Sequence, residues 1–323
     1  MLDHARPLLI SLMLLAAVSL ALALATGSIG MSLPELWAVL TGAETGTSRT
    51  LIMELRLPRA VGAFAVGGML AVAGALMQVL LHNPLADPYI LGISGGAAVA
   101  ALGVMLLGLG DGWVMGGAFL GALGSMLLVF GIARGRGSWS PLRLLLTGIV
   151  IAAGWGALIS FILTISPERS LRGMLFWLMG DLSHIGVPWP GLIVLTLGLL
   201  ASLPLARSLN VLARGELQAG ALGVPVERLR LAVYVLASLL TATAVTLAGT
   251  VAFVGLIVPH ALRLLGGYDH RLLLPASALL GGALLVLADT AARTLFAPQQ
   301  LPVGVVTALV GVPAFLYLLH RKT

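Results

Sequence analysis

Apolar runs long enough to cross a membrane follow one another along the whole chain with short breaks. A membrane helix needs about 20 mostly apolar residues, and a helix satisfies its own backbone hydrogen bonds in lipid. We predict an all-α, polytopic membrane protein with about ten transmembrane helices. The predicted spans lie near 7–27, 57–81, 92–109, 113–133, 142–164, 188–206, 229–249, 250–266, 272–294 and 301–319.

Composition excludes the soluble classes. Of 323 residues, 59% are hydrophobic and 9% are charged, whereas soluble domains carry about 25% charged residues. The net charge of +6 does not indicate nucleic-acid binding, because the basic residues lie between apolar runs and form no single stripe. The absence of cysteine excludes a disulfide framework and a thiolate metal site, and the histidines share no ligand spacing, so no cofactor or metal is predicted.

The first run, from Pro7 to Thr26, has two interpretations. It follows Arg6 and ends in small residues, as a cleaved signal peptide would. Its length of about 20 residues is long for a signal core and right for a membrane span. We therefore expect a first transmembrane helix here.

The distribution of basic residues predicts the orientation. An even number of spans places both termini on one side, and cytoplasmic termini give twelve basic residues inside against six outside. Such a bias toward the cytoplasm is the usual one. The inner set is Arg6, Arg134, Arg136, Arg143, Arg207, Arg214, Arg228, Arg230, Arg263, Arg271, Arg321 and Lys322; the outer set is Arg49, Arg56, Arg59, Arg169, Arg172 and Arg293.

Two loops are longer than a turn requires. The inner loop, 207–230, has Leu209, Leu212, Ala213 and Leu217 at helical spacing, and Gly220 and Gly223 follow them, which predicts two short helices joined by a glycine turn. The outer loop, about 166–190, has leucines in helical register with tryptophans, which predicts a helix lying at the membrane interface.

Segments 57–133 and 229–319 each contain spans interrupted by a proline break, HNPLADP at 82–88 and VPH at 258–260. An odd number of spans lies between them, so the two segments would face opposite ways. Inverted repeats of this kind are typical of transport proteins.

Longer motifs carry a family resemblance. LRLPRAVGAFAVGGMLAVAGALMQ (55–78) and HNPLADPYILGISGGAA (82–98) resemble the hallmark of FecCD-type permeases. The similarity continues through LFWLMGDLS (175–183), LARGELQAGALGV (212–224), FVGLIVPHALRLLGGYDHRLLLP (253–275) and LPVGVVTALVGVPAFLYLL (301–319). These permeases are membrane subunits of type II ABC importers for vitamin B12, ferric siderophores or haem, and this chain looks most similar to the vitamin B12 members.

The resemblance implies one permease domain over 1–323 in a bacterial inner membrane. It also implies a homodimer with a second copy, two cytoplasmic ATPase subunits and a periplasmic or lipid-anchored substrate-binding protein. The chain itself has no phosphate-cradling GxxxxGK[ST] motif, so ATP hydrolysis is expected in a separate chain and no enzymatic activity in this one.

Two sets of contact residues follow from the resemblance. Arg56, Arg59 and Arg293 would dock acidic residues of the binding protein; the alternative is that they snorkel at helix ends. The ATPase contact would lie in the inner loop, which could also be a solvated connector. Its residues would be Leu212, Gly215, Glu216, Ala219, Gly220, Leu222 and Gly223.

The gate and pathway are predicted near the dimer axis. Asn83 and Leu85, in a break that could equally be a tight turn, would oppose Pro141 and Leu142 at the inner mouth. Small residues, among them Gly148, Gly304 and Thr307, would line a pathway suited to a large, mostly neutral cargo. Asp289 is expected to pair with Arg293 on the same helix face.

Two other functions remain as alternatives. An ion-driven secondary transporter would require several carboxylates inside the bundle, and Asp289 alone is predicted there. A membrane enzyme would require paired acids, a serine–histidine dyad or an acidic metal cluster, and the sequence contains no such pattern.

Overall fold

The computed structural model describes residues 2–27, 30–44, 46–135, 140–266 and 268–320. Arg136, Arg321 and Lys322, three of the basic residues assigned to the inner side, lie outside these ranges. The described part of the chain is helical and contains no β-strand.

The helices of the first half are α1 Leu2–Ala25, α2 Leu33–Leu40, α3 Thr47–Thr50, α4 Leu57–Leu80, α5 Ile93–Leu106, α6 Asp111–Arg134, α7 Pro141–Ile165 and α8 Glu168–Leu178. Those of the second half are α9 Trp189–Ser202, α10 Ala206–Leu212, α11 Glu216–Ala221, α12 Val226–Ala248, α13 Val254–Leu264, α14 His270–Thr294 and α15 Val303–His320. Within the described ranges, seven helical stretches are long and apolar enough to cross a membrane, and shorter apolar helices occupy the remaining predicted positions, α5, α13 and α15.

Helix α4 lies at the centre of the bundle. Nearly all of its residues are buried, and α1, α9, α12, α13 and α14 pack around it. Small residues allow this crowding, because they let helix backbones approach closely. A Cβ atom at Gly67 would lie 2.2 Å from Gly281 O of α14, and one at Gly74 would lie 1.9 Å from Gly255 O of α13.

Three successive helices in each half follow the same order of lengths. In the first half, α4 is long, α5 is short and α6 is long; in the second half, α12 is long, α13 is short and α14 is long. Each short helix starts directly after a residue in the left-handed conformation, Gly92 (φ 71°) before α5 and Phe253 (φ 71°) before α13.

The helix boundaries depart from the prediction in three places. The stretch predicted to begin at 57 is helical from Thr47, because a π-helical turn, Leu51–Arg56, joins α3 to α4. Helix α2 was not predicted; Ser32 and Glu35 form a capping box at its start. The stretch predicted to end at 206 continues through a 3-10 turn, Leu203–Leu205, into α10.

Candidate functional site

Four charged residues meet at one end of α4 and α14. We call Arg56, Arg59, Asp289 and Arg293 the outer cluster. Arg59 donates to Asp289 through Nε (3.0 Å to Oδ1) and through its terminal nitrogen NH2 (2.8 Å to Oδ1). Arg293 Nε lies 3.1 Å from Asp289 Oδ2, an ion pair whose angle is not that of a hydrogen bond. One buried carboxylate thus pairs with two guanidinium groups and offsets part of their positive charge, as buried charges require.

The third arginine ties the outer cluster to α1. Arg56 donates to Leu24 O (2.7 Å) at the end of α1, and Arg293 approaches Ala23 O (3.4 Å) on the same helix. Arg59 also donates to Gln300 Oε1 (3.0 Å), which follows α14. The outer cluster therefore fastens α1, α4 and α14 together.

In the structure, the three predicted docking arginines lie together, and their side chains are largely buried. Only 12% of the Arg59 side chain and 9% of the Arg293 side chain are exposed. The expected pair of Asp289 with Arg293 is present. The sequence did not reveal that Arg59 shares this carboxylate, because 230 residues separate Arg59 from Asp289.

The predicted inner loop forms two short helices, but its glycine turn lies earlier than expected. We call residues 206–225 the inner segment. Helix α10 ends at Leu212, and Gly215 (φ 127°) precedes α11. The apolar face expected from helical spacing is interrupted there, so Leu209 and Leu212 are buried while Leu217 is exposed. Gly220 lies inside α11, and Gly223 (φ 77°) follows that helix.

Polar contacts hold the inner segment to the bundle at three points. Asn210 of α10 donates to Asp269 Oδ1 (2.7 Å) and accepts from His270 N (2.9 Å) at the start of α14. His82, after α4, lies 3.0 Å from Leu212 O through Nε2. Glu216 of α11 pairs with Arg230 of α12 at 3.2 Å.

Asp269 is kept ionised by these contacts. Burial alone would raise its pKa, but hydrogen bonds from Asn210 and from Arg271 N, together with nearby positive charge, hold the pKa below its ordinary value. The α10 contact is therefore charge-assisted over the ordinary pH range.

The free side of the inner segment carries two exposed leucines beside exposed Arg214 and Gln218. Leu217 is 92% exposed and Leu222 is 72% exposed, and a Cβ added at Gly220 would meet open space. Of the predicted ATPase-contact residues, Gly220, Leu222 and Gly223 are exposed, Gly215 and Glu216 are half-buried, and Leu212 and Ala219 are buried. Leu217 was missed as a surface residue, because its spacing matched the buried face.

The break after α4 combines extended and 3-10 backbone. Asn83 Oδ1 accepts from Leu85 N (2.9 Å), and Asp87 Oδ1 accepts from Tyr89 N (2.8 Å) ahead of the 3-10 turn Pro88–Leu91. Leu85 is 38% exposed. Burial raises the pKa of Asp87 to about 6, although the hydrogen bond from Tyr89 N opposes the rise.

A cavity of about 540 Å³, lined by several polar residues, lies beside this break. Residues from α4, the break, the inner segment, α13 and the start of α14 line it, among them Asn83, Arg214, Arg263 and His270. The predicted gate residue Asn83 thus adjoins the inner segment.

The residues predicted to line the pathway are closely packed against other parts of the chain. Gly148 is buried, and a Cβ there would lie 2.7 Å from Ile90 O. A Cβ at Gly304 would lie 2.1 Å from Met179 O, and Thr307 is buried with its hydroxyl bonded to Gly304 O (3.0 Å). Glycine serves close backbone approach at both positions.

Helix α7, which contains Gly148, also has an exposed apolar surface. Leu142, Leu146, Ile149 and Val150 are each more than half exposed, whereas Leu144 and Gly148 face the bundle. Pro141 begins the helix beside Leu142. This face is a candidate for a contact with lipid, cargo or another copy of the chain.

A second cleft, of about 910 Å³, opens beside the predicted interfacial helix α8. Arg169, Arg172 and Trp177 of α8 line it together with Asp111 and Asp181. The end of α8 also packs tightly on two other elements: a Cβ at Gly249 would lie 2.1 Å from Trp177 O, and Gly180 O accepts from Val303 N (2.9 Å).

The described residues contain no group of three or more His, Asp or Glu side chains that could hold a metal ion. His260, at the predicted second proline break, is buried with its ring 6.4 Å from that of Phe315.

Comparisons with known proteins agree on one family. A model of the FecCD transport family matches residues 14–321. The cobalamin import system permease protein BtuC of Halobacterium salinarum is 44% identical over 286 residues, covering 85% of this chain and 75% of that protein. The hemin transport system permease protein HmuU of Yersinia pestis is 41% identical over 333 residues, covering 98% of this chain and 96% of that protein.

A solved structure of a metal-chelate type ABC transporter in an inward-facing conformation matches with a TM-score of 0.87 and 31% identity. The match covers 98% of this chain and 99% of that one.

Proposed function

This chain belongs to the FecCD transport family, and on that premise we propose that it is the membrane-spanning permease subunit of an ATP-binding-cassette importer for a metal chelate. The observation that carries the proposal is the family match over 14–321, supported by relatives named as permeases for cobalamin and hemin. The chain is a multi-pass membrane protein. The full proposal has ten crossings, cytoplasmic termini and two inverted units, 57–133 and 229–319.

The inner segment supports a contact with an ATPase. Leu217 and Leu222 project from a segment that is fixed to α4, α12 and α14 on its other side. A short helix with an apolar exposed face fits a groove of a partner protein. In this proposal two cytoplasmic ATPase subunits bind the inner segments, and nucleotide binding drives alternating access.

The outer cluster supports a contact with an acidic binding protein. It contains three arginines and one carboxylate, so positive charge remains in excess. Because Asp289 already occupies Arg59 and Arg293, a partner carboxylate would either compete with Asp289 or act through the long-range field. A long-range field mainly affects the association rate and its dependence on salt.

A second copy of the permease would complete the pathway. The exposed side of α7 is apolar and has few ionisable groups, which suits a weakly held, mostly neutral cargo. We place the pathway between the α7 helices of two copies, with Asn83, Leu85 and Leu142 near its inner mouth.

Cobalamin is the first candidate cargo, because the relative with 44% identity is named for cobalamin import. Haem is the second, because the relative named for hemin transport aligns with 98% of this chain. A ferric siderophore remains the third possibility raised by the family resemblance.

The decisive experiment uses proteoliposomes that contain the permease with its cognate ATPase, a loaded binding protein outside and ATP inside. We expect labelled cobalamin to accumulate only with ATP and all three components, and unlabelled haem to compete poorly. Accumulation of haem but not cobalamin would replace the first cargo with the second. Accumulation without the ATPase subunit would refute the importer proposal and favour an ion-driven carrier.

A further inference from the structure

Helices α4 and α14 pack side by side, and polar residues at both ends of the pair make contacts. At one end Arg59 of α4 binds Asp289 of α14. At the other end His82, after α4, reaches Leu212 O, while Asp269 and His270, at the start of α14, hold Asn210. The same two helices therefore connect the outer cluster to α10 of the inner segment.

The packing between these two helices leaves little room for sliding. A Cβ at Gly281 would lie 2.5 Å from Ala71 Cβ and from Gly67 O, and one at Gly282 would lie 2.5 Å from the Phe64 ring. Both helices have 24 or 25 residues, which is about 36 Å at the usual helical rise. Closely packed helices transmit displacement because interiors are dense and hardly compressible.

Asn210 links α10 to the start of α14. Its amide donates to Asp269 Oδ1 (2.7 Å) and its oxygen accepts from His270 N (2.9 Å), so one side chain is bound to two consecutive residues of α14. The two bonds fix both the distance and the orientation of α10 relative to α14. The His270 ring adds a third contact to this side chain, with Nδ1 2.6 Å from Asn210 Oδ1. Among the described residues, the other polar contact from α10 to this helix pair is that of Leu212 O with His82.

We propose that Asn210 is a positioning residue through which the α4–α14 pair conveys the state of the outer cluster to the inner segment. This inference rests on the proposed function, because it assumes a binding protein at the outer cluster and an ATPase at the inner segment. Rigid elements with defined contacts at both ends are a physical basis for coupling between distant sites. The helix pair supplies such an element.

The test compares Asn210→Ala with wild type in the full complex, reconstituted in nanodiscs. Two quantities are measured: the affinity of the loaded binding protein, and the ratio of ATPase rates with and without it. We expect the affinity to stay at the wild-type value, because Asn210 lies at the opposite end of α14 from the outer cluster. The ratio should fall toward one, because the bound binding protein would no longer influence the ATPase subunits.

A second variant and a control keep the test decisive. His82 has a positive φ of 48°, which asparagine tolerates, so His82→Asn should assemble normally while losing its reach to Leu212 O. It should lower the ratio in the same direction. Thr196→Ala removes a hydroxyl bonded to Leu192 O on exposed α9, and its ratio should match wild type.

The outcomes separate this inference from the proposed function. If wild type shows no ATP-dependent uptake, the proposed function fails first. If wild type transports and the His82→Asn complex keeps the wild-type ratio of ATPase rates, the inference is overturned. It is also overturned if the Asn210→Ala complex assembles and keeps the wild-type ratio. If Asn210→Ala does not assemble, the ratio measured for the His82→Asn complex alone supports or overturns the inference.

Discussion

The outer cluster and the inner segment are built in opposite ways. At the outer cluster, charges are paired within the chain and Asp289 is 1% exposed. At the inner segment, the polar contacts described above face the bundle, and Leu217 and Leu222 are exposed on the free side. Exposed apolar side chains can contact a partner without rearrangement, whereas charges that are paired within the chain must first exchange their partners. We therefore expect a lasting contact at the inner segment and a transient one at the outer cluster.

The largest effect is expected where the outer cluster loses its carboxylate. Asp289→Ala leaves Arg59 and Arg293 buried without their counter-charge, and breaking such a buried pair costs about 3–5 kcal/mol. We expect a clearly lower thermal midpoint of the detergent-solubilised permease. Asp111→Ala, whose side chain is 85% exposed, should stay within about 0.5 kcal/mol of wild type. Equal midpoints for both variants would show that the outer cluster is not a structural element.

The second-largest effect is expected from a substitution on the exposed side of the inner segment that leaves the fold intact. Leu217→Asp places a charge in the proposed ATPase contact, and loss of a buried anchor there costs about 2 kcal/mol or more. Co-purification of the ATPase and ATP-driven uptake should therefore fall by more than about ten-fold. Leu217→Met should retain both activities, and the thermal midpoint of each variant should equal that of wild type. Normal co-purification with Leu217→Asp would exclude this face as the contact.

Substitutions at two glycines of the inner segment separate the effect of backbone strain from the effect of a blocked surface contact. Gly215→Ala forces a non-glycine residue into φ 127°, which costs about 1–3 kcal/mol. Gly220→Ala adds a methyl group within α11, where alanine is favoured by about 1 kcal/mol. Proteolysis of the inner segment should accelerate for Gly215→Ala alone, while uptake should fall for both if a partner approaches Gly220. Unchanged uptake for Gly220→Ala would place the contact elsewhere on the segment.

The smallest effect concerns Asp87. Its pKa is raised from 3.8 to about 6 by burial, so between these values the folded chain binds more protons than the unfolded chain. This group therefore contributes stability at acidic pH that is lost as the pH rises through 6. Asp87→Asn can keep the hydrogen bond from Tyr89 N but cannot titrate. The thermal midpoint of wild type should decline more steeply than that of Asp87→Asn between about pH 4.5 and 7; parallel profiles would contradict the shift.

The sequence predicted most helices because lipid imposes a strong length and composition requirement. The segments near 142–164 and 272–294 correspond to α7 and α14 within a few residues. Helix α2 was missed because eight residues carry too little apolar length to register as a span. The early start of the α4 stretch at Thr47 was missed because polar residues precede it.

The sequence indicated which residues belong to the site, but it indicated few of the contacts between them. The arginines of the outer cluster were identified from position, and the pairing of Asp289 with Arg293 from helical spacing. The role of Arg59 could not be inferred, because it depends on how α4 packs against α14. Gly148 and Gly304 were assigned to a pathway because small residues suit either an open path or a close contact, and only the fold distinguishes these two uses.

The most direct measurement is uptake of labelled cobalamin by sealed vesicles containing the complete complex, with the membrane potential and ion gradients collapsed by ionophores. Energy supplied by a separate ATPase predicts full accumulation when ATP is inside, and none when a non-hydrolysable analogue replaces ATP. Accumulation that follows an imposed ion gradient and ignores ATP would contradict the account.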